Sequence, residues 1–457
     1  MTGTAHHPPA GHRCVAVLVA APASGQGKTT VASALARLHA RAGRRVRAFK
    51  CGPDFLDPQW LALASGAPVD SLDLWINGED DCAARLASAA AEADLVVVEG
   101  VMGLFDGQPS AADLARRFGL PVLVVVDASA MAGTFGALAH GLQHYQPGLP
   151  WLGVLANRVA GARHAQMLQD SLHDPAHWCG ALPRSAAWAL PERHLGLVQA
   201  AELPDALARL DAAADALAGT PLGRLALADW PAWQPAPAPV VAAVPPLLAG
   251  RRVAVAQDAA FCFSYPANLA TLQALGAELL HFSPLADDAL PACDAVWLPG
   301  GYPELHAARL AGCTRLRGQL RAHVAAGRPV WAECGGMMVL FDALVDADGG
   351  QHAMWGLLPG TVTQGRRLAA LGPQQLLLGG QALRGHTFHH SSCATPLPPW
   401  AHCQAVRGGV VGAGEAVYVR GPVRASYFHA WFPSSPALVA ALLSPGPLPA
   451  PAEGALA

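Results

Sequence analysis

The sequence predicts an α/β protein of two domains, on three observations. A chain of 457 residues is longer than one ordinary hydrophobic core accommodates. Both halves alternate short β-rich runs with helical segments, which is typical of a parallel sheet flanked by helices. The segment 229–246 is dense in proline and alanine, so it continues neither a helix nor a central strand. We therefore expect domains at 13–218 and 251–443, joined by a linker at 219–250, and a disordered tail at 444–457.

The first half shows the alternation from its first strand onward. Runs of valine, leucine and alanine predict buried strands at 15–20, 45–49, 95–99, 121–127 and 151–157. The spacing of apolar residues predicts helices at 29–42, 80–93 and 204–218. Strands and helices in this order outline a nucleotide-binding architecture.

The second half restarts the same alternation. Strands are predicted at 252–256, 278–282, 295–298 and 329–332, and helices are predicted at 265–275 and 314–326. Beyond Trp355, glycine and proline interrupt alternating segments, which indicates an antiparallel or mixed edge to the sheet.

Charge and cysteine usage narrow the class of protein. The formal net charge is -3, so no basic field favours nucleic acid or anionic lipid. The ten cysteines form neither a CxxC pair nor a regular framework, which favours reduced thiols over disulfides or a zinc site. No basic segment precedes an apolar run at the start, and we expect no segment that crosses a membrane. We expect a cytoplasmic protein whose partners are small molecules.

A glycine-rich loop follows the first predicted strand and opens a helix. Its residues are Ser24, Gly25, Gln26, Gly27, Lys28, Thr29 and Thr30. In such a loop, backbone N–H groups and the helix end hold phosphate oxygens, the lysine neutralises the outer phosphates, and the first threonine hydroxyl is placed to bind Mg²⁺. The strict pattern has glycine where this chain has Pro22, but the residues with chemical roles are present. The loop therefore predicts ATP binding rather than a plain turn that caps a helix.

Polar residues after other strands extend this candidate site, because ligands of open α/β sheets bind at the carboxyl ends of strands. Glu99 ends one strand and is the candidate second contact to Mg²⁺. Lys50 and Asp54 follow another strand and suit an anionic substrate and a metal or substrate, respectively. Asp106 precedes a glycine, so a turn role competes with substrate binding. Asn157 ends a strand and is a candidate for reading adenine, with a turn role as the alternative.

A cysteine of the second half lies between a predicted strand and a predicted helix, in the run Ala332-Glu333-Cys334-Gly335-Gly336. Such an elbow lifts a nucleophile above the sheet edge, and small residues after it allow the strained turn. The N–H of Gly335 would stabilise a thiolate and an oxyanion, and Gly301, after another strand, would complete the oxyanion hole. The competing interpretation of Cys334 is a buried structural cysteine. The surrounding glycines and a late histidine favour the nucleophile.

That nucleophile needs a base. His429, late in the chain and after an apolar run, is best placed to hold the thiol ionised and then to protonate departing ammonia. A second group, His386, His389 and His390, lacks Cys or carboxylate ligands at a recognised spacing, so substrate contact or packing is favoured over metal binding. A loop that suits ATP and a cysteine that suits glutamine together indicate an ATP-driven amide synthesis.

Over nearly the whole chain, these residues resemble the cobyrinic or hydrogenobyrinic acid a,c-diamide synthases of cobalamin biosynthesis. The resemblance rests on the phosphate loop and on ordered runs at 50–54, 98–107, 190–197, 258–261, 299–306 and 332–336. It implies an N-terminal domain similar to dethiobiotin synthetase and a C-terminal domain like the class I glutamine amidotransferases. The implied reactants are ATP with Mg²⁺, L-glutamine and a corrinoid with free a and c acetate side chains, and a homodimer is implied as well.

Carried onto this sequence, the resemblance implies roles for individual residues. Cys334 would be the glutaminase nucleophile and His429 its base. The residues implied to surround ATP, magnesium and the corrinoid carboxylates are Lys28, Thr29, Asp54, Leu56, Glu99 and Asp106. Class I amidotransferases place a carboxylate two residues after the histidine, where this chain has Trp431, so we expect a Cys–His dyad.

The implied reaction starts with phosphorylation of a side-chain carboxylate by ATP, because a carboxylate anion resists nucleophiles. Ammonia released at Cys334 then attacks the acyl phosphate, which gives ADP, phosphate, glutamate and a primary amide. Related candidates are a cobyric acid synthase, which amidates the remaining corrinoid carboxylates, and an amidase of another tetrapyrrole. A candidate of a different class is a P-loop regulatory ATPase with an inactive amidotransferase domain. Such ATPases usually carry an extra lysine near the start of the loop, and this loop has none.

Overall fold

The computed structural model describes residues 13–193, 196–239, 243–407 and 410–451. The chain divides into two compact units, residues 1–240 and 241–457. The division falls inside the segment where the sequence predicts a linker.

The first unit is built on a seven-stranded sheet in which every neighbouring pair is parallel. The strands are β1 (Val15–Ala20), β2 (Val46–Cys51), β3 (Asp70–Leu72), β4 (Leu95–Glu99), β5 (Val122–Asp127), β6 (Trp151–Val159) and β7 (Trp178–Pro183). Their spatial order is β3-β2-β4-β1-β5-β6-β7, so β1 lies in the middle, between β4 and β5. The loops after β1, β2 and β4 therefore meet at one edge. A short ribbon of β8 (Glu192–Arg193) and β9 (Gly196–Leu197) follows β7.

Helices cover both faces of this sheet. They are α1 (Lys28–Arg41), α2 (Asp57–Ser65), α3 (Glu79–Glu92), α4 (Ala111–Phe118), α5 (Thr134–His144), α6 (Ala162–Asp170), α7 (Ala206–Ala218) and α8 (Pro221–Arg224). Successive strand residues point to opposite faces. One core accordingly joins Leu18 to Leu86 of α3, and the other joins Val17 to Leu35 of α1.

The second unit contains a ten-stranded mixed sheet and a smaller four-stranded sheet. The strands of the large sheet are β10 (Arg252–Ala256), β11 (Glu278–Phe282), β12 (Ala295–Leu298), β13 (Val330–Glu333), β17 (Ala370–Leu378), β18 (Gln381–His389), β20 (Ala401–Arg407), β21 (Val410–Arg420), β22 (Val423–Ser426) and β23 (His429–Ala430). Their spatial order is β11-β10-β12-β13-β22-β21-β20-β17-β18-β23. The pairs from β11 to β22 are parallel and the pairs from β22 to β23 are antiparallel.

The small sheet contains β14 (Ala343–Val345), β15 (Gln351–Ala353), β16 (Thr361–Gln364) and β19 (Ser391–Ala394). The helices of this unit are α9 (Pro266–Ala274), α10 (Ala307–Ala311), α11 (Thr314–Ala325), α12 (Gly335–Met338) and α13 (Pro436–Leu442). None of the helices in the described part of the chain combines the length and the apolar character that crossing a bilayer requires.

The predicted α/β class and the predicted elements are confirmed. Strands 15–20, 95–99, 252–256, 278–282 and 295–298 occur with the bounds expected from the sequence, and the other predicted strands and helices shift by two residues or fewer at either end. The antiparallel edge expected beyond Trp355 is also present, as the ladder from β17 to β23.

The predicted linker is partly folded. α8 and two buried tryptophans, Trp230 and Trp233, belong to the first unit, and Trp233 Nε1 donates to Phe118 O at 2.9 Å. Leu248 is buried in a core of the second unit. Apolar side chains thus anchor both ends of a segment whose proline content suggested only a spacer.

The expectation of a disordered tail from residue 444 is wrong for residues 444–451. The N–H of Gly379 donates to Ala450 O at 2.8 Å, and Arg424 Nη2 donates to Gly446 O at 2.7 Å. Leu448 packs against a core of the second unit. These long-range contacts outweigh the local composition, and the rest of the predicted tail, 452–457, lies outside the described residues.

Candidate functional site

The loop between β1 and α1 is shaped to receive phosphate. Gly25 and Gly27 have φ of 77° and 94°, in the left-handed region that favours glycine. A Cβ at Gly27 would lie 2.2 Å from Asn157 Nδ2, and the same amide donates to Gln26 O at 2.9 Å. Asn157, near the end of β6, therefore supports the loop.

Lys28 and Lys50 are the only lysines of the sequence, and both line the cavity at this loop. Lys28 Nζ donates to Met102 O at 2.6 Å and to Ala23 O at 3.2 Å. Burial and the neighbouring Lys50 lower the pKa of Lys28. Its ammonium is held by neutral carbonyls, so a phosphate oxygen would be a better partner than those it has.

Glu99, at the end of β4, is fully buried and joins the loop to β2. Its Oε1 accepts from Thr29 Oγ1 at 2.6 Å and from Lys50 Nζ at 3.1 Å. Burial raises the pKa of Glu99 to about 7, against the attraction of Lys50. Its Oε2 has no hydrogen-bond partner among the described residues. A buried carboxylate oxygen without a donor, beside a threonine hydroxyl, is an arrangement that fits Mg²⁺.

The positive charge of Lys50 is balanced by two carboxylates, and its remaining described contact is with a backbone carbonyl. Its Nζ lies 2.7 Å from Asp57 Oδ2, in addition to its contact with Glu99. Burial alone would lower the pKa of Lys50, but Glu99, Asp57 and Asp54 together raise it. Lys50 is therefore a fixed positive charge at the base of the site. Asp57 was not singled out from the sequence, although its place directly before a proline that starts a helix was an available signal.

Asp54 closes the turn that leads into α2. Its Oδ1 accepts from the N–H of Leu56 at 2.8 Å and from the N–H of Asp57 at 3.0 Å. Burial and the charge of Asp57 raise the pKa of Asp54 to about 6. Asp54 therefore gains or loses its proton close to the physiological pH range.

These residues surround a cavity of about 690 Å³. The residues predicted from the sequence that line it are Ser24, Gly25, Gly27, Lys28, Thr29, Thr30, Lys50, Asp54, Glu99 and Asn157. Gln26 is not among them, and its Oε1 accepts from the N–H of Asp127 at 2.7 Å. Leu56 is buried away from the cavity. Asp106 is exposed and accepts from the N–H of Gly103 at 2.8 Å, which is the turn role that competed with substrate binding.

The cavity also contains residues that sequence reasoning did not select. Arg158 and Arg184 add positive charge, and Ser185 and Trp188 line the same wall. Arg158 follows Asn157 at the end of β6 with a φ of 58°, so its place at a strand end was an available signal. The segment that carries Arg184 and Trp188 follows β7, which sequence reasoning did not recognise as a strand.

In the second unit, Cys334 stands on a strained turn between β13 and α12. Its φ is 45° and its ψ is -109°, a conformation that a residue with a side chain rarely adopts. Its N–H donates to Ser426 O at 2.7 Å, which ties the turn to β22. A Cβ at Gly335 would lie 2.9 Å from Gly301 N, so the two amides predicted to form an oxyanion hole are neighbours. The arrangement is that of a nucleophile elbow.

Burial raises the pKa of the Cys334 thiol, and the carboxylates Glu304, Glu415 and Glu333 act in the same direction. The N–H of Gly335 opposes them. The thiol is therefore protonated without a ligand, and a base must remove its proton before it attacks.

Gly300 brings Cys334 and His429 together. A Cβ on Gly300 would lie 2.3 Å from His429 Cε1 and 3.4 Å from Cys334 Cβ, so both side chains border the same glycine. Burial and the neighbouring His386 lower the pKa of His429. The imidazole is therefore neutral at physiological pH, which is the form that a general base requires. The loop that supplies Gly300 and Gly301 thus sits against both predicted catalytic residues.

Comparison with known proteins assigns each unit to a class. The model of the CobQ/CobB/MinD/ParA nucleotide binding domain matches residues 17–198. The model of the CobB/CobQ-like glutamine amidotransferase domain matches residues 252–437. The chain is therefore a nucleotide-binding domain followed by a glutamine amidotransferase domain.

Relatives resemble the chain over almost its full length. The hydrogenobyrinate a,c-diamide synthase of Stutzerimonas stutzeri is 58% identical over 432 residues, which cover 94% of this chain and 99% of that protein. The hydrogenobyrinate a,c-diamide synthase of Pseudomonas aeruginosa is 57% identical, over 95% of this chain and 98% of that protein. The cobyrinate a,c-diamide synthase of Herminiimonas arsenicoxydans is 50% identical, over 94% and 96%. The chain belongs to this family of a,c-diamide synthases, which are amidating ligases.

Proposed function

We propose that this chain amidates the a and c acetate side chains of hydrogenobyrinic or cobyrinic acid in cobalamin biosynthesis, with glutamine as the nitrogen donor and ATP as the source of energy. The observation that carries the proposal is 58% identity to a hydrogenobyrinate a,c-diamide synthase over 94% of this chain and 99% of that relative. The names of the relatives favour this activity over the other candidates, a cobyric acid synthase, another tetrapyrrole amidase and a regulatory ATPase.

The amidotransferase half supplies ammonia. His429 takes the proton of the Cys334 thiol, and the thiolate attacks the side-chain amide carbon of glutamine. The N–H groups of Gly301 and Gly335 stabilise the oxyanion that forms. His429 then protonates the nitrogen as the carbon–nitrogen bond breaks, so ammonia leaves and a thioester remains. Water hydrolyses the thioester to glutamate and restores the thiol.

The nucleotide half activates the acid. The backbone of the loop at 24–30 and the Lys28 ammonium hold the phosphates of ATP, and Lys50 adds a fixed positive charge below them. A carboxylate oxygen of the corrinoid attacks the γ-phosphorus, which forms an acyl phosphate and releases ADP. Ammonia then attacks the acyl carbon, and phosphate leaves with the electron pair of the broken bond. The product is a primary amide.

Thr29 and Glu99 would hold Mg²⁺ in this half, because the hydroxyl and the unpartnered Oε2 are oxygen ligands at the same cavity. Bound Mg²⁺ supplies neutralisation of phosphate charge. The proposal includes a homodimer, as the family resemblance implies, and a cytoplasmic location, as the sequence predicts. A mass measurement of the native protein in solution tests the dimer.

Product mass tests the proposed function. Purified protein is incubated with ATP, Mg²⁺ and glutamine, together with either hydrogenobyrinic or cobyrinic acid. We expect a diamide, and we expect faster turnover of the cobalt-free acid because the relatives that are 57% and 58% identical carry its name. A product that carries four added amides, and not two, would instead identify a cobyric acid synthase. ATP hydrolysis without any amide, and without glutamate release, would support the regulatory ATPase.

A further inference from the structure

A largely buried polar group close to Cys334 has no part in the reaction described above. Thr387 Oγ1 donates to Glu415 Oε1 at 2.9 Å, and His389 Nε2 lies 2.9 Å from the same oxygen. His389 is fixed in turn, since its Nδ1 lies 2.8 Å from Ser391 O and its ring stacks on Tyr427 with centroids 3.8 Å apart. Both side-chain contacts of Glu415 use Oε1, which leaves Oε2 without a hydrogen-bond partner among the described residues.

The group adjoins the nucleophile. Phe388, between Thr387 and His389 in the chain, places its carbonyl oxygen 4.0 Å from Cys334 Sγ. Glu415 lies where the pairing of β21 with β20 becomes irregular. Such irregularities turn a side chain away from the regular alternation and are common beside active sites. The regular alternation of the strand therefore does not set the direction of the Glu415 side chain, and its carboxylate is near enough to affect the pKa of the Cys334 thiol.

The acidic side chains around Cys334 indicate which kind of ligand group would bind there. The titratable side chains that most affect the thiol are all acidic, namely Glu304, Glu415 and Glu333. A cationic group would be attracted there, and glutamine carries one, its α-ammonium, a short aliphatic chain away from the amide that reacts. Glu333 accepts from Trp331 Nε1 at 2.7 Å, and burial raises its pKa to about 8, so near neutral pH it is largely protonated. Burial raises the pKa of Glu304 to about 7, so near neutral pH it is charged only in part.

We propose that Glu415, oriented by Thr387 and His389, binds the α-ammonium of glutamine through Oε2 and thereby distinguishes glutamine from amides that lack this group. The inference rests on the proposed function, since it assigns a substrate contact within the same glutaminase site. One consequence follows for the chemistry. A bound ammonium offsets the carboxylates around Cys334, so arrival of the correct substrate favours ionisation of the thiol.

The test compares two substrates that differ only at the proposed contact. L-glutamine and glutaramate, which is glutamine without its α-ammonium, are given to the full-length protein, and ammonia release is measured as kcat/KM. Since a hydrogen bond to a charged group stabilises by an amount equivalent to roughly ten- to a hundredfold, we expect wild type to prefer glutamine by about tenfold or more. Glu415→Gln should reduce that preference to less than about threefold, mainly through the KM for glutamine.

Two further variants keep the result interpretable. Thr387→Val preserves the shape of the side chain but removes one donor that orients Glu415, so the preference should fall in the same direction by a smaller factor. Glu278→Gln alters an exposed carboxylate on β11 and should keep the wild-type preference. Equal loss of kcat/KM for both substrates in Glu415→Gln, or an unchanged preference, would overturn the inference alone. If Glu415→Gln does not fold, an unchanged preference in Thr387→Val overturns it. If wild type releases no ammonia from glutamine, the proposed function falls with it.

Discussion

His386 on β18 lies directly opposite His429 on β23, and the two rings stack with centroids 5.0 Å apart at an interplanar angle of 16°. Burial lowers the pKa of His386 to about 3, so His386 is a neutral ring beside the proposed base, His429. In class I amidotransferases a carboxylate two residues after the histidine orients it, whereas this chain has the buried Trp431 there. Sheet pairing and ring stacking therefore hold His429 in place.

Cys334→Ser separates the two halves of the reaction. The hydroxyl of serine is much harder to deprotonate than the thiol of cysteine, so glutamine-dependent amidation should fall at least about a thousandfold. Amidation with added ammonium salt should persist, because that route bypasses the thiol. Diamide formation measured by mass with each nitrogen source checks this. Cys313→Ser is the matched control, since Cys313 donates only to backbone carbonyls that a hydroxyl also reaches. Parallel loss of both activities in Cys334→Ser would contradict the division of labour.

Glu99→Gln should impair both nitrogen sources alike. The amide cannot replace a carboxylate that faces Lys50 and that is proposed to hold Mg²⁺, so activation of the acid should slow on the order of a hundredfold. Diamide formation with glutamine and with ammonium measures the loss. Glutamine hydrolysis, assayed by itself, reports whether the amidotransferase half is unaffected. Glu92→Gln changes an exposed carboxylate of α3 and should behave as wild type. Normal ammonium-dependent amidation by Glu99→Gln would remove this residue from the activation step.

Gly300→Ala should damage glutamine hydrolysis specifically. The new methyl would lie 2.3 Å from His429 Cε1, so the imidazole must leave its present position beside Gly300. We expect glutaminase kcat to fall about tenfold or more. Gly318→Ala is the control because a Cβ at Gly318, inside α11, meets open space and should stabilise the helix by about 0.5–1 kcal/mol. Full glutaminase activity in Gly300→Ala would show that His429 need not stay where it lies.

Glu333→Gln should change how stability depends on pH. Burial raises the pKa of Glu333 from about 4.5 to about 8, so the folded state keeps a proton that the unfolded state releases. The unfolded state binds fewer protons between these values, and the free energy of unfolding of wild type should therefore fall as pH rises through that window. Glutamine stays neutral, so the variant should gain roughly 2 to 4 kcal/mol on wild type between pH 5 and pH 8.

Urea unfolding of wild type, Glu333→Gln and the exposed control Glu92→Gln at pH 5, 6.5 and 8 checks this dependence. Glu92→Gln should follow wild type, because Glu92 is largely exposed in its pair with Arg47. A difference between Glu333→Gln and wild type that stays constant with pH would show that Glu333 is ionised in the folded protein.

Much of the fold was accessible from the sequence because the strands of its parallel sheets are buried on both faces. Val15–Ala20 and the first four residues of Leu95–Glu99 are continuous apolar runs, which is the pattern of a strand buried on both faces. The phosphate loop and the cysteine turn were accessible for a related reason. Each is a local strand–turn–helix unit whose glycines are dictated by backbone geometry.

What the sequence did not reveal depends on contacts between distant residues. The position of His386 opposite His429 is set by the register of an antiparallel ladder, and no local signal specifies that register. Asp57 becomes part of the nucleotide site only because β2 lies beside β4. The packing of residues 444–451 likewise depends on Arg424 and on the turn at Gly379, far away in the chain.

Because lysine occurs only at positions 28 and 50, a reagent that reacts with amines can label the nucleotide cavity of the wild-type protein. An acylating reagent aimed at primary amines has only these two side chains and the α-amino group to react with. Of the two, Lys28 is the better nucleophile, since its pKa is lowered while that of Lys50 is raised. The extent of acylation at Lys28, read by peptide mass, therefore reports occupancy of the phosphate loop without any mutation.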